Sequence, residues 1–407
     1  MTRPFSSNAG SSAASRSPVS LSTVSRRAFL AAVPFFPPAL HALLKESQPG
    51  QRTLLIGTSS NDPSKGIYAS GWDPETGQLS APWLLQATPN PSFMVISRDQ
   101  RSLYACNEIA GSPGTGKDGE VSAFHLKVDP SELRPLDTVD SGGSGPCHVS
   151  LDHTGRCLFV ANYASGSIAS YRIHSDTSVG PIVSHFQFSG HGPNPTRQAG
   201  PHAHGCFPSP DNRFVLANDL GCDRIMIYRL NAATAALAPH EPASFAMPPG
   251  SGPRHLAFHP RGKWVYCISE LLSTVTQLGW NAQNGSLALL STISTLPEGF
   301  DVALNAAAEV AISGDGRFLY ASNRLMENSI AVFSIDEHSG ALALVQRISS
   351  GGKTPRHFTF DAEEKWLFAG NQDSGNIVVF RRDGRTGKLT QTSSIAGVTA
   401  PTCVLLT

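Results

Sequence analysis

The stretch PRHLAFHPRGKWVYCISELLSTVTQLGW, residues 253–280, holds the pattern that decides the fold. It reads as a Pro-led strand, a turn at Gly262, a second apolar strand, a polar pair and a third strand. Short alternating runs rich in β-branched and aromatic residues are typical of strands. Residues 146–173 (PCHVSLDHTGRCLFVANYASGSIASYRI) and 355–382 (PRHFTFDAEEKWLFAGNQDSGNIVVFRR) repeat the same order of elements. The pattern therefore predicts a repeat of supersecondary structure.

Weaker copies of this repeat fill the rest of the chain. The copies begin near Pro91, Pro146, Ala203, Pro253, Ala307, Pro355 and Pro401. These starts recur about every 50 residues, which is the length of a propeller blade. A fourth strand follows in most copies, as at residues 287–293. Residues 401–407 supply only an inner strand, whereas residues 53–57 and 67–72 have no inner strand before them.

We therefore predict an all-β fold, a seven-bladed β-propeller of four-stranded antiparallel blades. Its ring is closed by N- and C-terminal strands that share one blade, which protects the sheet edges. The composition fits this prediction, because 37 Gly and 30 Pro in 407 residues indicate many turns without low complexity. With 31 Lys+Arg against 31 Asp+Glu and only 15% charged residues, a nucleic-acid partner is not expected.

The N-terminal residues are typical of a removable leader. Residues 25–30, SRRAFL, resemble a twin-arginine (Tat) signal. The apolar stretch that follows is short and interrupted by Pro34, Pro37 and Pro38, so no stable membrane span is expected. A tail with an Arg pair by chance is the alternative. The predicted protein is exported by the Tat machinery to the periplasm or the cell exterior, and it is a monomer.

Three segments follow from this interpretation of the N-terminus. They are a Tat signal peptide at 1–42, a short N-terminal segment at 43–52 and the propeller domain at 53–407. The seven cysteines lie mostly in apolar strand-like runs and show no zinc-binding spacing, so we expect buried free thiols.

Two rows of residues are predicted to meet at one mouth of the central channel. Aligned on the turn glycine, the second inner-strand residues are Ser92, Cys147, His204, Arg254, Ala308, Arg356 and Thr402. The next strands end at Asn107-Glu108, Asn162-Tyr163, Asp219-Leu220, Ser269-Glu270, Asn323-Arg324 and Asn371-Gln372. In an antiparallel pair, the start of one strand lies beside the end of its neighbour. Both rows therefore lie at the same end of the blades.

The arginines in these rows predict an anion-binding pocket. Arg254, Arg324 and Arg356 face one axis, and guanidinium groups suit carboxylate or phosphate. The alternative is that Arg254 and Arg356, with Glu270 and Glu309, form ion pairs between blades that lock the ring. A calcium site built from the neighbouring carboxylates and amides is disfavoured, because the inward arginines oppose a cation.

Two further groups flank the predicted pocket. His148, His255 and His357 occupy the adjacent register position, where we expect them to brace the inner ring through hydrogen bonds. The loop at 189–198 is too rich in Gly and Pro for a helix and overhangs the same mouth, so it brings Arg197 within reach of a ligand.

Several strings, in order, resemble the seven-bladed propeller lactonase family: RQAGPHAH, PPGSGPRHLAFHP, ELLSTV, TLPEGF, GDGRFLYASNR and GGKTPRHF. This family includes the bacterial propeller-type 6-phosphogluconolactonase and the fungal carboxy-muconate lactonizing enzyme. The resemblance runs from about Thr53 to Thr407. It implies the catalytic residues Glu270, His204, Arg254 and Arg324, the same positions that the register predicts. Ser269 departs from the family pattern, which has Asn before this Glu.

The resemblance implies a lactonase that hydrolyses a sugar-acid lactone, such as gluconolactone or 6-phosphogluconolactone. We expect no metal and no cofactor. Glu270 would be the general base, and His204 would orient the water or protonate the leaving alkoxide, while the arginines stabilise the oxyanion. Expected substrate-binding residues are Arg356, Arg197, His202, Asn323 and Gln372. Export favours an unphosphorylated lactone, whereas the arginines suit a phosphate. A muconate-type lactonizing cycloisomerase and a non-catalytic propeller that serves as a binding platform remain as alternatives.

Overall fold

The structure is a computed structural model, and it describes residues 52–60, 62, 64–110, 119–126 and 132–407. The predicted signal peptide at 1–42 lies outside these residues, as does the segment at 43–51. Twenty-eight strands form seven four-stranded antiparallel sheets in the described part of the chain. The predicted seven-bladed β-propeller is confirmed.

The blades are given from the inner to the outer strand. Blade 1 contains β28 (Pro401–Leu406), β1 (Arg52–Thr58), β2 (Gly66–Trp72) and β3 (Trp83–Ala87). Blade 2 contains β4 (Pro91–Ile96), β5 (Ser102–Asn107), β6 (Glu120–Leu126) and β7 (Leu133–Asp140). Blade 3 contains β8 (Pro146–Leu151), β9 (Cys157–Asn162), β10 (Ser167–Ile173) and β11 (Val179–Gln187).

The remaining blades follow the same order. Blade 4 contains β12 (Ala203–Pro208), β13 (Phe214–Asp219), β14 (Arg224–Asn231) and β15 (Ala236–Ala246). Blade 5 contains β16 (Pro253–Phe258), β17 (Trp264–Ser269), β18 (Thr274–Asn281) and β19 (Ser286–Ser294). Blade 6 contains β20 (Asn305–Ile312), β21 (Phe318–Leu325), β22 (Ser329–Ile335) and β23 (Leu342–Ser349), preceded by a 3₁₀ turn, Val302–Leu304. Blade 7 contains β24 (Pro355–Phe360), β25 (Trp366–Asn371), β26 (Asn376–Arg382) and β27 (Leu389–Ala396).

The two ends of the propeller share blade 1. Leu55 of β1 pairs with Leu405 of β28 on one side and with Ala69 of β2 on the other. The ring therefore closes through hydrogen bonds between the first and last strands, as predicted from the incomplete copies at each end. Closure of this kind removes the long exposed edges that an open sheet would present.

The core lies between the blades. Each hydrophobic cluster draws its side chains from two adjacent sheets, as where Trp72 of blade 1 meets Phe368 of blade 7 edge-on at 5.1 Å between ring centroids. Both side chains are fully buried. Since burial of one large apolar side chain contributes roughly 1.5–3 kcal/mol, these inter-blade layers hold the ring together.

The turn between the first two strands of a blade needs a left-handed residue. Gly155 and Gly262 fill this place with φ of 68° and 69°. In other blades Asn212 and Glu364 adopt the same region, with φ of 61° and 53°. Glycine occupies this region without a steric cost, and Asn tolerates it better than most residues. The turn thus keeps its geometry although its residue changes.

All seven cysteines lie in the described residues, where they are buried and free of disulfide bonds. This agrees with the expected free thiols. Among the described residues, no helix is both long enough and apolar enough to span a lipid bilayer.

Candidate active site

A β-bulge near the start of the inner strands directs side chains into the channel mouth. In blade 5 the register with β17 shifts between Pro253 and His255, which leaves Arg254 as the bulge residue. In blade 4 the equivalent shift, between Ala203 and Gly205, leaves His204 in this place. A bulge turns a side chain away from the regular alternation of the strand. Arg254 and His204 therefore leave the sheet where the strands meet the mouth.

Glu270 is the centre of the cluster at the mouth. It follows the last residue of β17, and its N–H donates to the carbonyl oxygen of Gly252 at 2.8 Å. Three guanidinium groups surround its carboxylate: Arg197 Nη2 lies 2.6 Å from Oε1, and Arg324 Nη2 and Arg254 Nε lie 2.7 and 3.3 Å from Oε2. The Glu270 side chain is only 4% exposed, so these charges interact in a largely desolvated place.

The charges of the cluster determine its protonation. Burial raises the pKa of the Glu270 carboxyl, but the guanidinium groups of Arg324, Arg254 and Arg197 outweigh burial and lower the pKa to about 2. Burial and the neighbouring Arg324 lower the pKa of Arg254 to about 10. Glu270 is therefore ionised and Arg254 is charged at neutral pH.

Main-chain carbonyls of blade 6 hold two of the arginines in place. Arg324, at the end of β21, donates from Nε and Nη2 to the carbonyl oxygens of Ala306 and Ala307 at 3.3 and 3.2 Å. Arg254 Nη1 donates to the carbonyl oxygen of Ala308 at 2.7 Å. These bonds leave both guanidinium groups directed at Glu270.

The third arginine comes from the loop before β12. The Asn194 side chain accepts from the N–H of Arg197 at 3.0 Å, and the buried Gln198 amide donates to Leu220 O and to Asp223 Oδ1. These bonds fix the backbone on both sides of Arg197. Its side chain stays 40% exposed and reaches Glu270 from the solvent side.

His204 completes the central cluster. Its Nε2 lies 3.8 Å from Glu270 Oε2, and its Nδ1 lies 3.8 Å from the sulfur of Cys147. Burial, together with the charge of Arg254, lowers the pKa of His204 well below its ordinary value. The imidazole is therefore neutral at neutral pH and is able to accept a hydrogen bond.

An aromatic pair lines the mouth next to His204. Tyr163 stacks on His202 with ring centroids 4.4 Å apart, and it meets His204 edge-on at 5.5 Å. Its hydroxyl accepts from Arg197 Nη2 at 3.2 Å. Burial raises the pKa of Tyr163, so the hydroxyl stays protonated. The same Nη2 atom of Arg197 therefore donates to both Tyr163 and Glu270.

A second ion pair lies at the same mouth. Arg356 Nη2 of blade 7 lies 3.3 Å from Glu108 Oε2 of blade 2, and Arg356 Nη1 lies 3.4 Å from Gln372 Oε1. The side chains of Arg356 and Glu108 are 19% and 26% exposed, so they contact both the site and solvent. Burial opposes the charge of Arg356, but Glu108 raises its pKa.

A buried carboxylate and two imidazoles lie in the neighbouring register. Glu309 Oε2 accepts from His255 Nδ1 at 3.0 Å, and His357 Nε2 lies 3.8 Å away. Burial raises the pKa of Glu309 and lowers that of both histidines. In another blade the N–H of Cys206 donates to His148 Nδ1 at 3.4 Å. These contacts agree with the expectation that the histidines brace the inner ring.

The structure brings most of the expected site residues together. His204, Arg254, Glu270 and Arg324 form the cluster, which Arg197 joins. Arg356 and Gln372 lie with Glu108, and His202 packs against Tyr163. The alternative of ion pairs between blades holds in part, because Glu270 of blade 5 pairs with Arg324 of blade 6.

The structure does not bring Asn323 to the mouth. Asn323 is fully buried, and its amide bonds to Thr295 and Ser329 below the surface. The position of Asn323 in the structure therefore does not support the prediction that it binds substrate. Asn323 and Arg324 are adjacent in a strand, and adjacent side chains in a strand point to opposite faces. Asn162 and Asn371, at the equivalent positions of blades 3 and 7, likewise donate from their amides to loop carbonyl oxygens. Ser269 occupies this position in blade 5, and its buried hydroxyl has no hydrogen-bond partner among the described residues.

Sequence reasoning placed Glu108 and Tyr163 in the row at the mouth but assigned neither residue to the catalytic or substrate-binding set. Glu108 occupies the same repeat position as Glu270, and this equivalence was the available signal. Tyr163 lies at the matching position of blade 3, but nothing in its sequence context indicates a bond to Arg197. Among the described residues, no group of three or more His, Cys, Asp or Glu side chains is placed to hold a metal ion.

Fold and site together define the class of protein: a seven-bladed β-propeller enzyme with its polar cluster at one mouth of the channel. The family described as lactonase, 7-bladed beta-propeller, matches residues 53–406, and the chain belongs to this family. The resemblance seen in the sequence is confirmed. The chain is a lactonase, an enzyme that opens a cyclic ester.

Several characterised and solved proteins are similar to the chain. It is 36% identical over 349 residues to the 6-phosphogluconolactonase of Bacillus subtilis, covering 86% of this chain and 96% of the relative. A crystal structure of a putative 6-phosphogluconolactonase from Bacteroides fragilis matches with a TM-score of 0.80 and 33% identity, over 89% of this chain and 99% of that one. The periplasmic gluconolactonase of Pseudomonas aeruginosa matches with a TM-score of 0.80 and 33% identity, over 88% and 99%.

Proposed function

We propose that this lactonase hydrolyses the lactone of a sugar acid, an aldonolactone such as gluconolactone or 6-phosphogluconolactone, at the mouth of the propeller channel. The observation that carries the proposal is the single carboxylate of Glu270, held by three guanidinium groups beside a neutral imidazole. Hydrolysis of an ester needs a positioned water, a proton acceptor and stabilisation of an oxyanion. The cluster contains a group for each task. The names of the Bacillus and Pseudomonas relatives support this class of substrate.

Glu270 and His204 position the attacking water. The 3.8 Å between Glu270 Oε2 and His204 Nε2 is too long for a direct hydrogen bond, yet one water bonds to both atoms at ordinary distances. Both groups are able to accept a hydrogen bond in the protonation states that their surroundings impose. The water oxygen is then free to face a carbonyl carbon.

Arg254 and Arg324 stabilise the oxyanion. When the lactone carbonyl enters the site, these two side chains direct part of their hydrogen bonding from Glu270 to the carbonyl oxygen. Removal of hydrogen bonds from a carboxylate raises its pKa. Glu270, whose pKa of about 2 makes it a weak base in the free site, becomes a stronger base when the substrate is bound. Substrate binding and activation of the base are thereby coupled.

Glu270 and His204 carry one proton of the water to the leaving group, and the second proton goes to solvent when the product acid ionises. The water oxygen adds to the carbonyl carbon while Glu270 takes its proton. The tetrahedral oxyanion then collapses, the bond between the carbonyl carbon and the ring oxygen breaks, and His204 passes the proton from Glu270 to the leaving alkoxide. Arg254 and Arg324 hold the product carboxylate, and Arg197 and Arg356 are outer contacts to the ligand.

The experiment is hydrolysis of gluconolactone by the mature protein and by Glu270→Gln. If Glu270 is the base, its loss lowers the rate above the spontaneous background by about 10²–10⁴-fold. Glu337→Gln is the control, since Glu337 is 63% exposed and pairs with Arg261 at the end of the strands that lies away from the mouth. Full activity of Glu270→Gln would exclude this role of Glu270.

The chain acts outside the cytoplasm in this proposal. The SRRAFL string at residues 25–30 supports export by the Tat pathway, although these residues lie outside the described part of the structure. The periplasmic location of the Pseudomonas relative supports the same compartment.

A further inference from the structure

Glu108 is the repeat equivalent of Glu270 on another blade. Both residues follow the second strand of a blade, and the N–H of Glu108 donates to Asn90 O at 2.9 Å just as that of Glu270 donates to Gly252 O at 2.8 Å. Their charge environments differ, however. Glu270 has three guanidinium partners, whereas the one ion pair of Glu108 within the described residues is with Arg356.

Glu108 also differs from Glu270 in exposure. Its side chain is 26% exposed against 4% for Glu270, and the paired Arg356 is 19% exposed. Gln372 Oε1 lies 3.4 Å from Arg356 Nη1. This Glu108–Arg356–Gln372 group therefore offers acceptors and donors to a ligand at the mouth, in contrast to the closed shell around Glu270.

The charges at the mouth are partly balanced. Among the described residues, the mouth contains four guanidinium groups, those of Arg197, Arg254, Arg324 and Arg356, against the carboxylates of Glu270 and Glu108, with the carboxylate of Glu309 next to them. Arg356 belongs to the same electrostatic unit, because it helps to lower the pKa of Arg254 and Arg324 after the larger effect of burial. The guanidinium groups exceed the carboxylates of Glu270 and Glu108 by two charges, and Glu108 takes up the charge of Arg356.

A phosphorylated lactone would upset this balance. A phosphate monoester carries about −1.5 to −2 charges at pH 7. To bind at Arg356 it would have to displace Glu108 and leave that carboxylate beside a like charge, which is unfavourable in a part-buried site. A hydroxyl group, by contrast, donates to a carboxylate and accepts from a guanidinium group without breaking the pair.

We propose that Glu108 is a specificity-determining residue that selects an uncharged sugar lactone and rejects its phosphate ester, with Glu108, Arg356 and Gln372 bonding to hydroxyl groups of the substrate. This inference rests on the proposed function and specifies its substrate class. It assigns the second carboxylate of the mouth to recognition, while Glu270 is assigned to the chemistry.

The test compares kcat/KM for gluconolactone and 6-phosphogluconolactone. The wild-type protein prefers gluconolactone, and Glu108→Gln reduces the preference about tenfold, because removal of one like charge at a part-exposed site is a modest effect. Arg356→Gln changes the preference in the opposite direction, since Glu108 then repels the phosphate without a compensating cation. Glu337→Gln, which removes an exposed carboxylate at the end of the strands away from the mouth, leaves the preference unchanged.

Inhibition by gluconate and 6-phosphogluconate gives the same comparison without turnover, with a folding check by thermal unfolding of each variant. Wild-type preference for the phosphorylated lactone, or an unchanged ratio in both Glu108→Gln and Arg356→Gln, overturns the role of Glu108 and leaves the lactonase proposal intact. If the wild-type protein hydrolyses neither sugar lactone, the proposed substrate class itself fails, and the inference fails with it.

Discussion

Arg197 Nη2 lies 2.6 Å from Glu270 Oε1, although 73 positions separate the two residues. Arg197 comes from a loop before blade 4, and Glu270 from the end of a strand in blade 5. The pair joins an exposed, solvent-facing side chain to a buried carboxylate. In the proposed function, ligand binding at the mouth and the basicity of Glu270 are therefore linked through one contact.

Replacement of Arg197 by Met tests this link. One of the three guanidinium groups that lower the pKa of Glu270 is removed, and so is an outer contact to the ligand. We expect KM to rise about tenfold with a smaller change in kcat, because a hydrogen bond to a charged group at a part-exposed position contributes at the lower end of its usual range. Steady-state kinetics with gluconolactone measure both constants.

Tyr163→Phe is the matched control for Arg197→Met. It removes only the hydroxyl that accepts from Arg197 at 3.2 Å and keeps the charge beside Glu270. A KM increase in Tyr163→Phe as large as that in Arg197→Met would show that the orientation of Arg197, and not its charge, is what matters.

The buried histidines predict acid sensitivity. Burial lowers the pKa of His148, His204, His255 and His357 below the ordinary value of 6.5. Since the unfolded chain then binds protons that the folded state does not, the free energy of unfolding falls as pH drops below 6.5. Each such histidine contributes a slope of up to about 1.4 kcal/mol per pH unit. Urea unfolding between pH 7 and about pH 5 measures this slope.

His148→Gln isolates one of these groups. Gln does not titrate, yet it keeps an acceptor for the N–H of Cys206. In this variant the unfolded chain takes up about one proton fewer on unfolding. The pH slope of the unfolding free energy should therefore decrease by up to about 1.4 kcal/mol per pH unit. A wild-type free energy of unfolding that does not change over this pH range would contradict neutral burial of the four histidines.

Two substitutions of Glu309 by residues of similar size are expected to differ in their effect on stability. In Glu309→Gln the side-chain oxygen still accepts from His255 Nδ1, whereas Glu309→Leu leaves that buried N–H without its acceptor at 3.0 Å. A buried donor left unpaired costs about 1–3 kcal/mol. We therefore expect Leu to lower the free energy of unfolding by this amount relative to Gln. Equal losses in the two variants would show that the hydrogen bond contributes little.

The export proposal is tested in cells. Substitution of both Arg26 and Arg27 by Lys should retain the protein in the cytoplasm, because the Tat signal depends on the arginine pair and not on charge alone. Fractionation of cells followed by immunoblotting measures the distribution. A protein with the double substitution that still reaches the periplasm would exclude the Tat route.

Periodic features of this protein were accessible from the sequence. The recurring strand and turn pattern predicted seven blades and their closure, because each blade is built from local alternation and short hairpins. The same periodicity aligned His204, Arg254, Glu270 and Arg324 at one mouth, since equivalent positions in a ring of repeats lie at the same height. The family resemblance pointed to the same four residues.

Contacts between blades were decided by tertiary structure alone. The partner of Glu108 is Arg356, 248 positions away, and the two meet only because the ring closes. Side-chain direction also escaped the alignment, which placed Asn323 beside Arg324 although alternation in the strand buries the first and turns the second to the mouth. The sequence thus determined the repeat and the end of the blades at which the site lies. Ring closure and strand alternation determined which charges face each other. Such pairings depend on distances in the folded ring that no local pattern encodes.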